Sequence, residues 1–285
     1  MADYLRQYTD FLMLGGIPIL IKETGLPIYD FRFREVFECK SIIHSPERPV
    51  LLRIGAIDNF IRISNELQSL GIDLLFTEEE HDRASLLENW YPLLAKYTPF
   101  SRVYDGLPPI DVFLQEFRFP VFIKGNRQTN HHKKSQCIIE NLTMYESLAS
   151  QWENDKYLHW QKAVVREYMP LEKIGNTQHW DMIPASYEFR VFFWKKNLVG
   201  YGKYWSMEYD YALKAHDKGI ALDLAHQAAT IVDVPFLAVD VAKTQCGKWI
   251  IIEINDGQES GYVGVDRTSL WQNILSVEEG KTVTL

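Results

Sequence analysis

Apolar and polar positions follow one rhythm in the first third of this chain and another beyond it. Val50-Leu51-Leu52-Arg53-Ile54 is a short apolar run closed by Gly55. Asp58 stands where it can cap a following helix, in which Phe60, Ile61, Ile63, Leu67 and Leu70 recur at near-helical spacing until Gly71. Ile72–Phe76 is a second strand-like run, so strand, helix and strand in succession predict a βαβ unit with parallel pairing. Ile17–Ile21 and Phe31–Phe37 are candidate strands ahead of it, and Asp82 to Lys96 predicts a helix. The stretch Tyr97–Pro109, with Pro99, Gly106, Pro108 and Pro109, reads as a connector. From Pro120 the pattern changes to paired apolar runs separated by short turns, with helices at about 143–160 and 213–232. Paired strands with segregated helices predict an α+β second part.

Composition narrows the class without naming a function. At 285 residues the chain suits one large domain or two ordinary ones. Its 46% hydrophobic and 24% charged residues exclude disorder, collagen and coiled coil as descriptions of the whole. A net charge of −8 argues against coating nucleic acid through bulk electrostatics, though it permits a local basic groove. Cys39, Cys137 and Cys246 lie far apart with no CxxC pair, which disfavours a disulfide framework or structural zinc and fits a reducing compartment. The eleven-residue stretch Phe11–Ile21 is broken by Gly15-Gly16 and Pro18 and is too short to span a bilayer. Asp3, Asp10 and Glu23 surround it where a signal peptide would carry basic residues. The expectation is a soluble, cytoplasmic protein with no membrane partner. There is no GxxxxGK[ST], GxSxG or HExxH pattern, and the eight histidines are scattered.

Three hairpins place the charged residues. In the last, Phe236–Val241 and Trp249–Asn255 flank a turn containing Gly247, and folding about its centre sets Asp240 opposite Glu253. Opposed residues project from one face of an antiparallel pair, and Asn255 shares that face by period-two alternation. Leu237, Val239, Val241, Ile250, Ile252 and Ile254 then form an apolar back. Paired carboxylates repel unless a cation lies between them, and an all-oxygen set with few protein ligands suits Mg²⁺; a solvated polar face or a capping role is the alternative. In the preceding hairpin, Glu188–Trp194 returns through Lys195-Lys196-Asn197 to Leu198–Lys203, which opposes Arg190 to Lys203. Either an anion sits between these cations, or Glu188 pairs with Arg190 and leaves Lys203 in solvent. The first hairpin ends its leading strand on Lys124, followed by a basic loop at 126–135 that is either solvated or a lid over phosphates. Trp205, Tyr209 and Tyr211 are available either to stack on a ring or to fill a core or interface.

Pro-Val-Phe-Ile-Lys124, then Val-Val-Arg-Glu167-Tyr-Met-Pro-Leu-Glu172, Glu188-x-Arg190, Asp240 and Glu253-x-Asn255 resemble the ATP-grasp superfamily in order and spacing. The thirteen-residue step from Asp240 to Glu253 and the two-residue step to Asn255 are similar to its magnesium ligands. The Arg190/Lys203 pair and the lack of a glycine-rich loop look closest to the clade named for an arginine and lysine signature. The resemblance implies an α+β ATP-grasp fold, two lobes sandwiching ATP, over 96–285, with lobes at about 96–165 and 166–285. Residues 1–95 look like the small αβ pre-ATP-grasp domain.

By the same resemblance, Lys124 would hold the α- and β-phosphates, Glu167 and Met169 would offer backbone groups to adenine, and Glu172 would accept the ribose hydroxyls. Arg190 and Lys203 would face the γ-phosphate or a phosphorylated intermediate, and Asp240, Glu253 and Asn255 would bind one or two Mg²⁺. Arg166 departs from the pattern, standing where many relatives carry an acidic residue near the adenine amino group. The stretch Asp256–Gly264 follows the metal strand where the family places its acceptor. The implied activity is an ATP- and Mg-dependent, ADP-forming ligase that joins a carboxylate to an amine through an acyl phosphate, a peptide or protein being one candidate substrate. Two other readings stay open: an ATP-binding assembly factor for a protein partner, and a nucleotidyl-transferring RNA ligase, which the acidic net charge opposes.

Overall fold

The computed structural model describes residues 5–22, 31–55, 57, 59–127, 133–155, 158–175, 181–205, 209–283 and 285. Among these, three four-stranded sheets succeed one another along the chain. The first begins with a tight hairpin, β1 (Asp10–Leu14) and β2 (Ile17–Ile21), turned at Gly15 with φ +55°. A short helix α1 (Phe33–Val36) follows, then β3 (Cys39–Ser41) and β4 (Leu51–Arg53), giving the order β3-β1-β2-β4 with β2 and β4 parallel. The strand expected over Phe31–Phe37 is therefore a helix. Phe33 and Phe37 are spaced for one helical turn, closed by the Phe37 N–H on the Phe33 carbonyl at 2.7 Å, and Phe33 packs edge-on against Trp271 at 4.8 Å.

Helix α2 (Phe60–Gln68) is capped by Asn59, whose side chain accepts from the Arg62 N–H; Asp58, the expected cap, lies outside the described residues. The run Ile72–Phe76 pairs in parallel with Val50 only at Leu74. It goes no further as a strand because Thr77 and Glu80 form a capping box that starts α3 (Glu78–Ser85) at once. Extended Leu86 then splits the single helix expected over Asp82–Lys96 into α3 and α4 (Leu87–Leu94), followed by a 3₁₀ turn at Ala95–Tyr97.

The second sheet runs β5-β8-β6-β7, from β5 (Ser101–Tyr104), β6 (Val121–Gly125), β7 (Ile138–Ile139) and β8 (Ala163–Glu167). The expected connector Tyr97–Pro109 thus contains a strand, recruited because Ser101–Tyr104 completes the edge beside β8. Helices α5 (Ile110–Glu116), α6 (Lys134–Cys137) and α7 (Leu142–Trp152) accompany this sheet. Phe113, Phe117, Tyr145, Leu148 and Trp152 give it a core of its own.

The third sheet runs β10-β9-β11-β12, from β9 (Glu188–Trp194), β10 (Asn197–Lys203), β11 (Phe236–Lys243) and β12 (Trp249–Asp256). It packs with α8 (Ala215–Val232) and α9 (Arg267–Glu278), and its core is continuous with that of the first sheet. Two bulges adjust the expected registers. One near Val199 sets Gly202, not Lys203, opposite Arg190, so the two cations do not face each other. The other, after Asp240↔Glu253, turns Ile252 out of the expected apolar back.

Gly202 is required by close approach, since a Cβ there would meet the Gly264 carbonyl oxygen at 2.3 Å, whereas a Cβ at Gly219 in α8 meets nothing within 4 Å. Gly202→Ala is expected to lower the unfolding free energy by about 1–3 kcal/mol, and Gly219→Ala to raise it by about 0.5–1 kcal/mol, both read from urea titrations.

Candidate active site

A cleft opens between the second and third sheets. Alternation along β6 and β8 aims Phe122, Lys124 and Arg166 at it from one side, while Ser186, Glu188, Tyr204, Trp205, Ile252 and Glu253 line it from the other. The connecting stretch contributes Glu167, Tyr168, Met169 and Leu171. Its apolar part includes Ile138, Ile183 and Pro184, a lining suited to a flat ring.

Asp240 and Glu253 are direct partners across β11 and β12, as the spacing predicts. Each is held by a cation. Lys124 Nζ donates to the Glu253 carboxylate from the opposite lobe, and Arg190 donates to both oxygens of Asp240 at 2.8 and 2.7 Å. Arg190 also donates to the Gly261 carbonyl at 2.9 Å. Burial alone would push Glu253 up, yet adjacent Lys124, with Arg190 and Arg166, holds it below the usual range. Burial pushes the Asp240 carboxyl up against the opposing pull of Arg190. The donor set of two carboxylates and the half-buried Asn255 amide is all oxygen on adjacent strands, so these residues fit Mg²⁺.

Arg166 ties the lobes together. Its Nη1 donates to the Ile252 carbonyl at 2.7 Å and its Nε to Ser101 Oγ at 2.9 Å, and burial pushes its pKa down to about 10. Glu188 is a cleft carboxyl that motif spacing used only as a companion to Arg190. It does not pair with Arg190; it accepts from Ser186 Oγ at 2.8 Å, and burial, reinforced by Asp240, pushes its pKa up to about 8. Its signal in the sequence was its place two residues before Arg190, on the same strand face. Nothing in the sequence around Tyr204, whose ring lies 5.2 Å from the Arg190 guanidinium, marks it as a cleft residue.

Other expected site residues lie elsewhere. Glu172 does not line the cleft and pairs with Lys214 at 3.4 Å and Lys243 at 3.8 Å. Lys203 reaches exposed Asp210 at 2.9 Å, because the β10 bulge shifts its register. Trp205 lines the cleft, whereas Tyr211 donates to the Glu188 carbonyl at 2.7 Å from the adjoining core. Of the basic loop 126–135, residues 128–132 lie outside the described residues, and Arg127 and Lys134 at its ends bond back to Ile57 and Asp181.

A family model for an ATP-grasp domain, family 3 of the clade named for its arginine and lysine signature, matches residues 111–274, and the chain belongs to this family. An ATP-grasp RimK-domain protein from Sphaerobacter thermophilus DSM 20745 has a similar structure, with TM-score 0.54 and 13% identity over 81% of this chain and 83% of that one. D-alanine–D-alanine ligase from Bacillus anthracis, complexed with ATP, is similar at TM-score 0.53 and 13% identity over 80% and 77% of the two chains. N5-carboxyaminoimidazole ribonucleotide synthetase from Thermotoga maritima is similar at TM-score 0.50 and 13% identity, over 81% of this chain and 59% of that one. These likenesses show the ATP-grasp fold. No curated protein sequence matches the chain.

The raised Glu188 pKa carries a pH signature. Between its ordinary value of 4.5 and about 8 the folded protein keeps a proton that the unfolded chain releases. That contribution to stability is complete below 4.5 and disappears as pH rises through about 8. Glu188→Gln is expected to shrink the loss of melting temperature between pH 5 and pH 8 measured for the parent; an unchanged loss would remove the assignment.

Proposed function

We propose that this protein is an ATP- and Mg-dependent ligase that forms an amide bond between a carboxylate and an amine through an acyl phosphate. The observation that carries this reading is the pair of crossed ion pairs, Lys124 with Glu253 and Arg190 with Asp240. Both cations have the chemistry to grip phosphate, and both carboxylates the chemistry to hold a divalent ion. Nucleotide binding would exchange partners: Lys124 and Arg190 turn to phosphate oxygens as Asp240, Glu253 and Asn255 take the ion. The exchange leaves no buried charge alone, which matters because an unpaired one costs about 3–5 kcal/mol. When bound, Mg²⁺ neutralises charge on the β- and γ-phosphates.

The remaining roles follow from position. Glu167 and Met169 present backbone groups to the base at the connecting stretch, and Arg166 fixes the lobes around it. Arg190 stabilises the γ-phosphoryl group as it passes to the acceptor carboxylate oxygen, breaking the bond to ADP. The amine then attacks the acyl carbon, phosphate leaves, and the amine proton is released. Glu172 and Lys203 would serve the ribose and the transferred group only after leaving Lys214 and Asp210. Residues 1–95 would form an N-terminal unit, with lobes at about 96–165 and 166–285 and β8 running across their boundary to Glu167.

Incubation with Mg-ATP and a small-molecule and peptide extract is expected to give extract-dependent ADP and phosphate, lost in Glu253→Gln. Release of AMP, or undiminished turnover in the variant, would contradict the reading.

A further inference from the structure

The N-terminal unit carries no ATP-grasp motif, yet one of its side chains is built into the stretch that follows the metal strand. Arg53, at the end of β4, is 2% exposed. Its Nη1 donates to the carbonyls of Gly257 at 3.1 Å and Gln258 at 2.7 Å, and its Nη2 to that of Ser260 at 2.7 Å. Its Nε donates to Tyr262 Oη at 3.2 Å, and the guanidinium lies 4.6 Å from the centre of that ring. Among the described residues it forms no ion pair with a carboxylate, although buried arginines are ordinarily paired.

The neighbouring backbone joins in. The Leu52 N–H donates to the Gln258 side-chain carbonyl at 3.0 Å, and the Ile54 N–H to the Gln258 backbone carbonyl at 3.3 Å. From α3, His81 Nε2 meets Glu259 at 2.7 Å while its other nitrogen faces Asp82 at 3.3 Å and its ring stacks on Phe60. Asp256 lies beside this group but is already engaged by the Gln258 N–H and side-chain amide at 2.7 and 2.9 Å. The cluster of His81, Asp256 and Glu259 is thus occupied by its own members.

Arg190 takes the Gly261 carbonyl, which lies between the Ser260 and Tyr262 acceptors held by Arg53. The same guanidinium grips Asp240. Residues 257–262 are therefore suspended between two arginines, one from the N-terminal unit and one from the catalytic sheet. A guanidinium has five N–H donors in a rigid plane, and a lysine at position 53 could not reach all four acceptors at once.

We infer that Arg53 is a positioning residue, which moulds residues 256–262 into the wall that receives the acceptor beside the transferred phosphoryl group. The inference rests on the ligase reading above for what that wall does, but not for its shape. It assigns the N-terminal unit a part in turnover and none in holding the nucleotide.

The test compares the full chain with Arg53→Lys and Arg53→Met. Calorimetry should give an Mg-ATP affinity within about twofold of the parent in both, because Arg53 touches no residue assigned to the nucleotide. Amide hydrogen exchange across 256–262 should quicken by about tenfold or more in Arg53→Met, with β9 and β11 unchanged. Extract-dependent ADP release should fall by about 100-fold in kcat with the KM for ATP unaltered, and Arg53→Lys should recover part of it. A residue that merely stabilised the fold would weaken Mg-ATP binding and loosen β9 and β11 as well. Unchanged exchange across 256–262 in Arg53→Met would overturn the inference, and so would parental turnover in that variant. Failure of the parent itself to bind Mg-ATP would instead count against the ligase reading, while the exchange measurement would still decide the role of Arg53.

Discussion

Two acidic side chains placed side by side on adjacent strands, one of them lining the cleft, set the terms for the rest of this molecule. Asp240 is 1% exposed, and Glu253, its direct cross-strand partner, keeps only 18% of its side chain exposed. Such a pair is unstable without positive charge. The fold supplies it twice, from opposite directions: Arg190 from the neighbouring strand of the same sheet and Lys124 from across the cleft. The second contact spans the two lobes and, with Arg166 on the Ile252 carbonyl, holds the cleft together. An arrangement that satisfies its charges internally can accept a charged ligand only if each charge it releases is paired again. That is how a site built from four buried ions can be both stable and receptive.

Much of the fold was legible because hairpins fold about a centre that can be counted. The pairing of Asp240 with Glu253 follows from thirteen residues and a turn at Gly247, and the structure reproduces it. The same counting misplaced Lys203, because one extra residue near Val199 shifts everything beyond it. A bulge costs so little and is marked so weakly in the sequence that counting cannot foresee it. Helix boundaries failed for a related reason. At Thr77, a capping box ended an apolar run that otherwise reads as a full strand, and at Leu86 an extended residue cut a helix whose periodicity continues across it. For Phe31–Phe37, Phe33 and Phe37 fit either period, and only packing against Trp271 decides between them.

The contribution of the first sheet was the least legible part. Arg53 is a single charge inside an apolar strand, and His81 one histidine among eight. Their partners lie more than 170 residues away, in a stretch that looks like turn glycines and polar filler. Continuity of the first and third sheets in one core explains why the contact exists at all: hydrophobic burial brings β4 against the end of β12, and the polar residues then settle the detail. The second sheet, with a separate core, meets the third across the cleft. The division of cores therefore matches the division of labour proposed here, in which the second sheet closes over the nucleotide and the first shapes the far wall.

The most direct test of the crossed ion pairs is calorimetric titration with ATP, once in excess Mg²⁺ and once in excess chelator. Without the metal, drawing Lys124 and Arg190 onto phosphate strands Asp240 and Glu253, so affinity should fall by about 100-fold or more. In Glu253→Gln, which carries one fewer charge to strand, the gap between the two conditions should narrow. Affinities for ATP that agree within about threefold with and without Mg²⁺ would contradict the account.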